Sequence, residues 1–199
     1  MLTYLALGDS YTIGEQVAYA ANFPNQTVAL LRQHNITIAD PVIIATTGWT
    51  TDELQAAIRE KNLQEKFSIV SLLIGVNNQY RGRSLENYQE EFTALLQQAI
   101  QFAHHNAENV FVLSIPDWGV TPFAEGKDRA QIAQEIDAYN HAAQTIAAAH
   151  HCHFIDITDS TRINGNQLLY LAEDQLHPSA EEYQIWAERL SAKIQKQIQ

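Results

Sequence analysis

The strongest constraint on the fold is an alternation along the chain. Short apolar runs of strand length recur, and between them lie longer segments whose apolar residues fall at helical spacing. The runs lie at about Thr3 to Leu7, Val42 to Ala45, Phe67 to Ile74, Asn109 to Ser114 and His153 to Asp156. Strands covered on both faces read as continuous apolar stretches, and Phe67-Ser68-Ile69-Val70-Ser71-Leu72-Leu73-Ile74 has that character. Helices are predicted from about Pro24 to His34, from Thr51, from Ser84 to about His104, from about Asp128 to His150, and from Ala180 to about Ile198. Pro24 suits a first helical turn, and Thr50 or Thr51 and Ser84 suit N-caps.

Parallel strands need right-handed helical crossovers, so this order predicts an α/β fold: a three-layer α/β/α sandwich around a five-stranded parallel sheet, flavodoxin-like, with strand order 2-1-3-4-5. With 199 residues, no repeat and no linker, a single domain over 1–199 is expected. In such sheets ligands bind outside the carboxyl ends of the strands. Gly8-Asp9-Ser10, Thr46-Thr47-Gly48, Gly75-Val76-Asn77-Asn78 and Asp117-Trp118 each follow a predicted strand, so they should gather on one rim.

Composition narrows the partners. Twelve basic against twenty-three acidic residues give a net charge of -11, which repels a nucleic-acid backbone or an anionic membrane. No apolar run reaches the ~20 residues of a membrane span, and Met1 to Leu7 lacks a basic leader, so no stable membrane insertion is expected. As it stands the chain reads as cytoplasmic; an exported form stripped of its signal would read the same. Cys152, the lone cysteine, reads as a small buried apolar residue. His104, His105, His150, His151 and His153 have no carboxylate or cysteine set at metal-ligand spacing.

Four blocks carry chemistry. A serine hydroxyl is a weak nucleophile and needs a base, a group that orients the base, and donors aimed at the developing oxyanion. Ser10 lies at a strand-to-loop turn. Asp174-Gln175-Leu176-His177-Pro178 sets a carboxylate three residues before an imidazole, close enough to take its Nδ1 proton and present Nε2 to the serine. Gly48 has an accessible backbone N–H, and Asn77 a side-chain N–H at a strand end. Each block alone is also what an ordinary turn contains.

In combination and in this order, the blocks resemble those of the SGNH hydrolase superfamily, the GDSL-like lipases and esterases, over essentially the whole chain. Gly8-Asp9-Ser10-Tyr11 stands for its Gly-Asp-Ser-Leu block, Gly48 for its glycine block, Gly75-Val76-Asn77-Asn78 for Gly-x-Asn-Asp, and Asp174-Gln175-Leu176-His177 for Asp-x-x-His. The resemblance implies that Ser10 is the nucleophile, His177 the base and then acid, and Asp174 its orienter. It further implies an oxyanion hole of the Ser10 and Gly48 N–H groups and the Asn77 side chain, with no metal or organic cofactor. Tyr11 departs from the usual leucine and Asn78 from the usual aspartate; the second departure bears on the support of the oxyanion loop.

The expected reaction is hydrolysis of a small-molecule carboxylic ester through an acyl-enzyme, with short acyl chains favoured because no apolar lid is evident. Carbohydrate O-deacetylation and lysophospholipid or thioester hydrolysis are alternatives within the class. A doubly wound sugar- or nucleotide-binding module without turnover is the alternative outside it, although no phosphate-binding glycine motif is present. Tyr11, Trp49, Tyr80 and Trp118 are the candidate substrate contacts, and Arg81 and Arg83 could attract an anionic group or form surface ion pairs. Oligomeric state is unreadable from the sequence.

Overall fold

Five strands run parallel in the order β2-β1-β3-β4-β5 in the computed structural model, which describes residues 1–198. They are β1 (Tyr4–Gly8), β2 (Val42–Ala45), β3 (Ile69–Leu73), β4 (Val110–Leu113) and β5 (His153–Ile155). The expected order and the sandwich are both observed. Leu5 pairs with Val42 on one side and Val70 on the other, and Phe111 bridges Ser71 and His153, which fixes the register across the sheet. Every residue of β1, β3 and β4 is buried, which explains their unbroken apolar sequences. The polar exception, Ser71, is satisfied by the Tyr4 hydroxyl at 2.7 Å.

The helices are α1 (Ser10–Ile13), α2 (Phe23–Gln33), α3 (Thr51–Lys61), α4 (Val76–Tyr80), α5 (Leu85–Phe102), α6 (Arg129–Ala149), α7 (Thr158–Asn164) and α8 (Ala180–Ile198). Right-handed crossovers in this strand order put α2 and α8 on one face and α3, α5 and α6 on the other. The α2–α8 layer buries Phe23, Tyr183 and Trp186 as one aromatic cluster. Ser84 and Thr50 cap their helices as expected, Thr50 in a capping box with Glu53, and Asn22 and Asp128, which the sequence did not single out as caps, likewise accept a backbone N–H of the first turn. Among the described residues, no helix is long and apolar enough to cross a membrane.

Candidate active site

β1 ends at Gly8, where the chain turns straight into α1. A Cβ at Gly8 would overlap the Thr12 hydroxyl and come within 2.5 Å of the Leu73 carbonyl oxygen, so only glycine lets the helix start this close to the sheet. Asp9 caps the turn: its Oδ1 accepts the Tyr11 N–H at 3.0 Å, and its carbonyl accepts from Thr12 and Ile13. Ser10 is thereby the first residue of α1, at the carboxyl edge of a central strand.

The opposite side of the site is a loop that leads into α8. Asp174 folds this loop on itself, its Oδ1 accepting the backbone N–H groups of Leu176 at 3.0 Å and His177 at 2.9 Å. Its Oδ2 lies 2.5 Å from His177 Nδ1, and His177 Nε2 lies 3.0 Å from Ser10 Oγ. A carboxylate, an imidazole and a hydroxyl thus stand in one hydrogen-bonded line across 167 residues of sequence. Burial works against the ionised form of Asp174, but the bonds from the His177 side chain and the two backbone N–H groups outweigh it and hold the carboxyl below the usual carboxylate range. The charge that orients the imidazole is therefore present at neutral pH.

Gly48 has φ of 85°, a conformation that favours glycine, in the loop between β2 and α3. Arg81 donates to its carbonyl at 2.6 Å and also pairs with Glu53. Asn77, at the start of α4, donates Nδ2–H to the Trp49 carbonyl at 2.9 Å, with Asp9 Oδ2 3.5 Å away. The glycine loop and the asparagine loop are joined by this bond. Burial pushes the Asp9 carboxyl up to about 7, only partly offset by the Tyr11 N–H bond.

These groups open into a pocket lined by Ser10, Tyr11, Thr47, Gly48, Val76, Asn77, Tyr80, Trp118, Phe123, Leu176 and His177. A narrow cavity shares Tyr11, Trp118 and Leu176 with it but does not reach Ser10 or His177. Trp118 is pinned as the wall between them: its indole N–H donates to Gln79 Oε1 at 2.7 Å, and Gln79 Nε2 donates to Glu135 of α6 at 2.6 Å. Tyr80 and Phe123 meet the Trp118 ring edge-on, with centroids 5.2 and 6.1 Å away.

Of the expected substrate contacts, Tyr11, Tyr80 and Trp118 line the pocket. Trp49 does not: the turn from Thr46 to Trp49 carries its ring against the core, and only its carbonyl serves the site. Tyr11 is buried, with its ring 5.1 Å from the His177 ring. Arg81 and Arg83 are spent on ion pairs with Glu53, Asp52 and Glu91. Phe123, Leu176, Val76 and Thr47 are lining residues that the sequence did not single out; the first could have been suspected as an aromatic in the loop after β4.

The profile of the GDSL-like Lipase/Acylhydrolase family matches residues 6–185, and the chain belongs to that family of enzymes acting on esters. Similar solved structures agree on the fold. TesA has a TM-score of 0.76 at 18% identity, covering 98% of this chain and 99% of that one. The lipase/acylhydrolase from Enterococcus faecalis has a TM-score of 0.77 at 20% identity, covering 98% and 96%. Axe2, an acetylxylan esterase from Geobacillus stearothermophilus, has a TM-score of 0.76 at 20% identity, covering 97% and 94%. No curated protein matches.

Proposed function

We propose that this protein, acting as a single domain, hydrolyses short-chain carboxylic esters through an acyl-enzyme on Ser10. The observation that carries this reading is the Asp174–His177–Ser10 line, with contacts of 2.5 and 3.0 Å, ending inside the pocket. Asp174 holds the Nδ1 proton and so leaves Nε2 as the acceptor. His177 takes the Ser10 proton as Oγ adds to the ester carbonyl. The negative charge that develops on the carbonyl oxygen is met by the first-turn N–H of Ser10, the Gly48 N–H and the second Asn77 Nδ2 hydrogen, which exchanges its long 3.5 Å bond to Asp9 Oδ2 for the oxyanion.

The imidazolium then gives its proton to the leaving alkoxide. Water, deprotonated by the same nitrogen, releases the acid and restores Ser10. The buried Tyr11 ring, its centroid 5.1 Å from that of His177, packs beside the imidazole and limits its movement. Short acyl groups are favoured because Trp118, fixed by Gln79, closes the pocket against the narrower cavity behind it.

A series of p-nitrophenyl esters from acetate to decanoate, run on the native chain and on Ser10→Ala, tests this reading. Turnover should be highest for the shorter chains and fall at least ~10³-fold in Ser10→Ala, with loss of covalent labelling by an alkyl phosphonate. Labelling or hydrolysis that survives the substitution would overturn the assignment of Ser10. A fluorophosphonate-inert native chain that still binds sugars or nucleotides would favour a binding module instead.

A further inference from the structure

The departure at Asn78 sits in a buried chain of hydrogen bonds whose direction is fixed by its ends. Asn78 is fully buried in the middle of α4, and its Oδ1 lies 3.1 Å from the backbone nitrogen of Thr51. A backbone N–H can only donate, so the oxygen of the amide must face it and the NH₂ must face Thr51 Oγ, 2.6 Å away. The Thr51 hydroxyl has one proton, and it is directed to Oε2 of Glu91 on α5. Glu91 in turn accepts Asn87 Nδ2 at 2.9 Å and lies 3.7 Å from Arg83. Donation therefore runs one way, from Asn78 to Thr51 to Glu91.

An aspartate at position 78 could not enter this chain. Its second oxygen would need the Thr51 proton that Glu91 already takes, leaving a fully buried carboxylate at position 78 and the partly buried one of Glu91 competing for one hydrogen. The carboxylate on this side of the site stands on α5, across the Thr51 hydroxyl from position 78. Thr51 begins α3 directly after the loop from Gly48 through Trp49 and Thr50, and Asn78 follows Asn77, so the chain of bonds links the segments that carry Gly48 and Asn77.

We propose that Asn78, through Thr51 and Glu91, is a positioning residue that holds the Gly48 and Asn77 donors in register; this rests on their reading as oxyanion donors. The polarity of the chain, rather than the charge at position 78 alone, is what must be kept. In Asn78→Asp combined with Glu91→Gln the direction reverses intact. Thr51 then donates to the carboxylate introduced on α4, the amide introduced on α5 donates to Thr51 Oγ, and the oxygen of that amide accepts from Asn87.

The experiment is the four-protein cycle of native chain, Asn78→Asp, Glu91→Gln and the double variant, read with p-nitrophenyl acetate and by thermal melting. Asn78→Asp should lower kcat by ~10–100-fold with KM changed by less than about twofold, and the double variant should recover to within about threefold of native. Glu91→Gln alone should cost less than Asn78→Asp does. Melting gives the same cycle without turnover: Tm falls in Asn78→Asp and returns in the double variant. Native kcat in Asn78→Asp, or a double variant no better than Asn78→Asp in kcat and Tm, overturns the proposal. An inactive native chain with the Tm rescue intact instead sinks the ester-hydrolysis reading and leaves the polarity standing.

Discussion

The two sides of the site are held by different physics. Ser10 sits where β1, hydrogen-bonded to β2 and β3 and buried along its whole length, delivers the chain into α1. His177 sits on a loop whose Glu173, Asp174 and Gln175 are exposed and whose shape is kept by its own bonds. Ala172 N–H donates to the His177 carbonyl at 2.8 Å, Ser179 N–H to the Tyr170 carbonyl at 3.0 Å, and Leu171 bridges Pro178. One contact ties the loop to the far wall, from Phe123 N–H to the Gln175 carbonyl at 3.3 Å. The hydroxyl is thus placed by the core and the imidazole by local hydrogen bonding. Errors on the first side should appear as lost stability, and errors on the second as lost rate.

The largest effect expected under that division is from Asp174→Asn. The Asn oxygen can still accept from Leu176 and His177 N–H, so the loop keeps its shape. Its NH₂ would face His177 Nδ1 and drive the proton to Nε2, the wrong tautomer for taking a proton from Ser10. Ester turnover should fall by about 10²–10⁴-fold, equivalent to about 3–5 kcal/mol of barrier, with little change in Tm. A loss below tenfold would break the comparison on the histidine side.

Gly8→Ala probes the other side. The added methyl meets Thr12 and the Leu73 carbonyl, neither of which can retreat without moving α1 or β3. A cost of about 2–3 kcal/mol in urea unfolding is expected, with a fall of about 5–10 °C in Tm. An unchanged Tm would mean that β1 and α1 are less tightly fixed than the sheet packing requires.

The same division explains what could be read from the sequence. The five strands and their order were legible because burial on both faces leaves unbroken apolar runs and because crossover handedness admits few orders. Ser10, Gly48, Asn77, Asp174 and His177 stood out as residue types because the proposed chemistry leaves few substitutes, and the structure brings the first three and His177 to one pocket with Asp174 bonded behind His177. Helices α1, α4 and α7 were not: elements of four to seven residues have too little intrinsic stability to leave a periodic signature, and tertiary contacts create them. The ring of Trp49 was misplaced because the turn after Thr46, not the neighbourhood of Gly48, decides its direction. Gln79 gave no signal at all. Its role exists only because α6 brings Glu135 across to it, a contact spanning 56 residues.

The most gradual effect, at most ~1.4 kcal/mol per pH unit, belongs to Asp9, and it sharpens the comparison with Asp174. Both carboxylates cap turns within the site, yet their shifts are opposite: burial lifts Asp9 from 3.8 to about 7, whereas His177 and the backbone donors hold Asp174 down. A group whose folded pKa is raised stabilises the fold fully below its unfolded value and loses that contribution as pH rises through the folded value. For Asp9 the window runs from about pH 4 to about pH 7, with a slope of at most ~1.4 kcal/mol per pH unit. For Asp174 the sign reverses, and its contribution disappears in acid below the usual carboxylate range. Asp9→Asn keeps an acceptor for the Tyr11 N–H and removes the titration. The difference in unfolding free energy between native and Asp9→Asn, followed by urea titration at several pH values, should therefore move against the native chain as pH rises from about 4 to about 7. A difference that stays flat across that range would mean that Asp9 is ionised in the folded state at a normal pKa, and that the turn beneath Ser10 is not as dry as its packing implies.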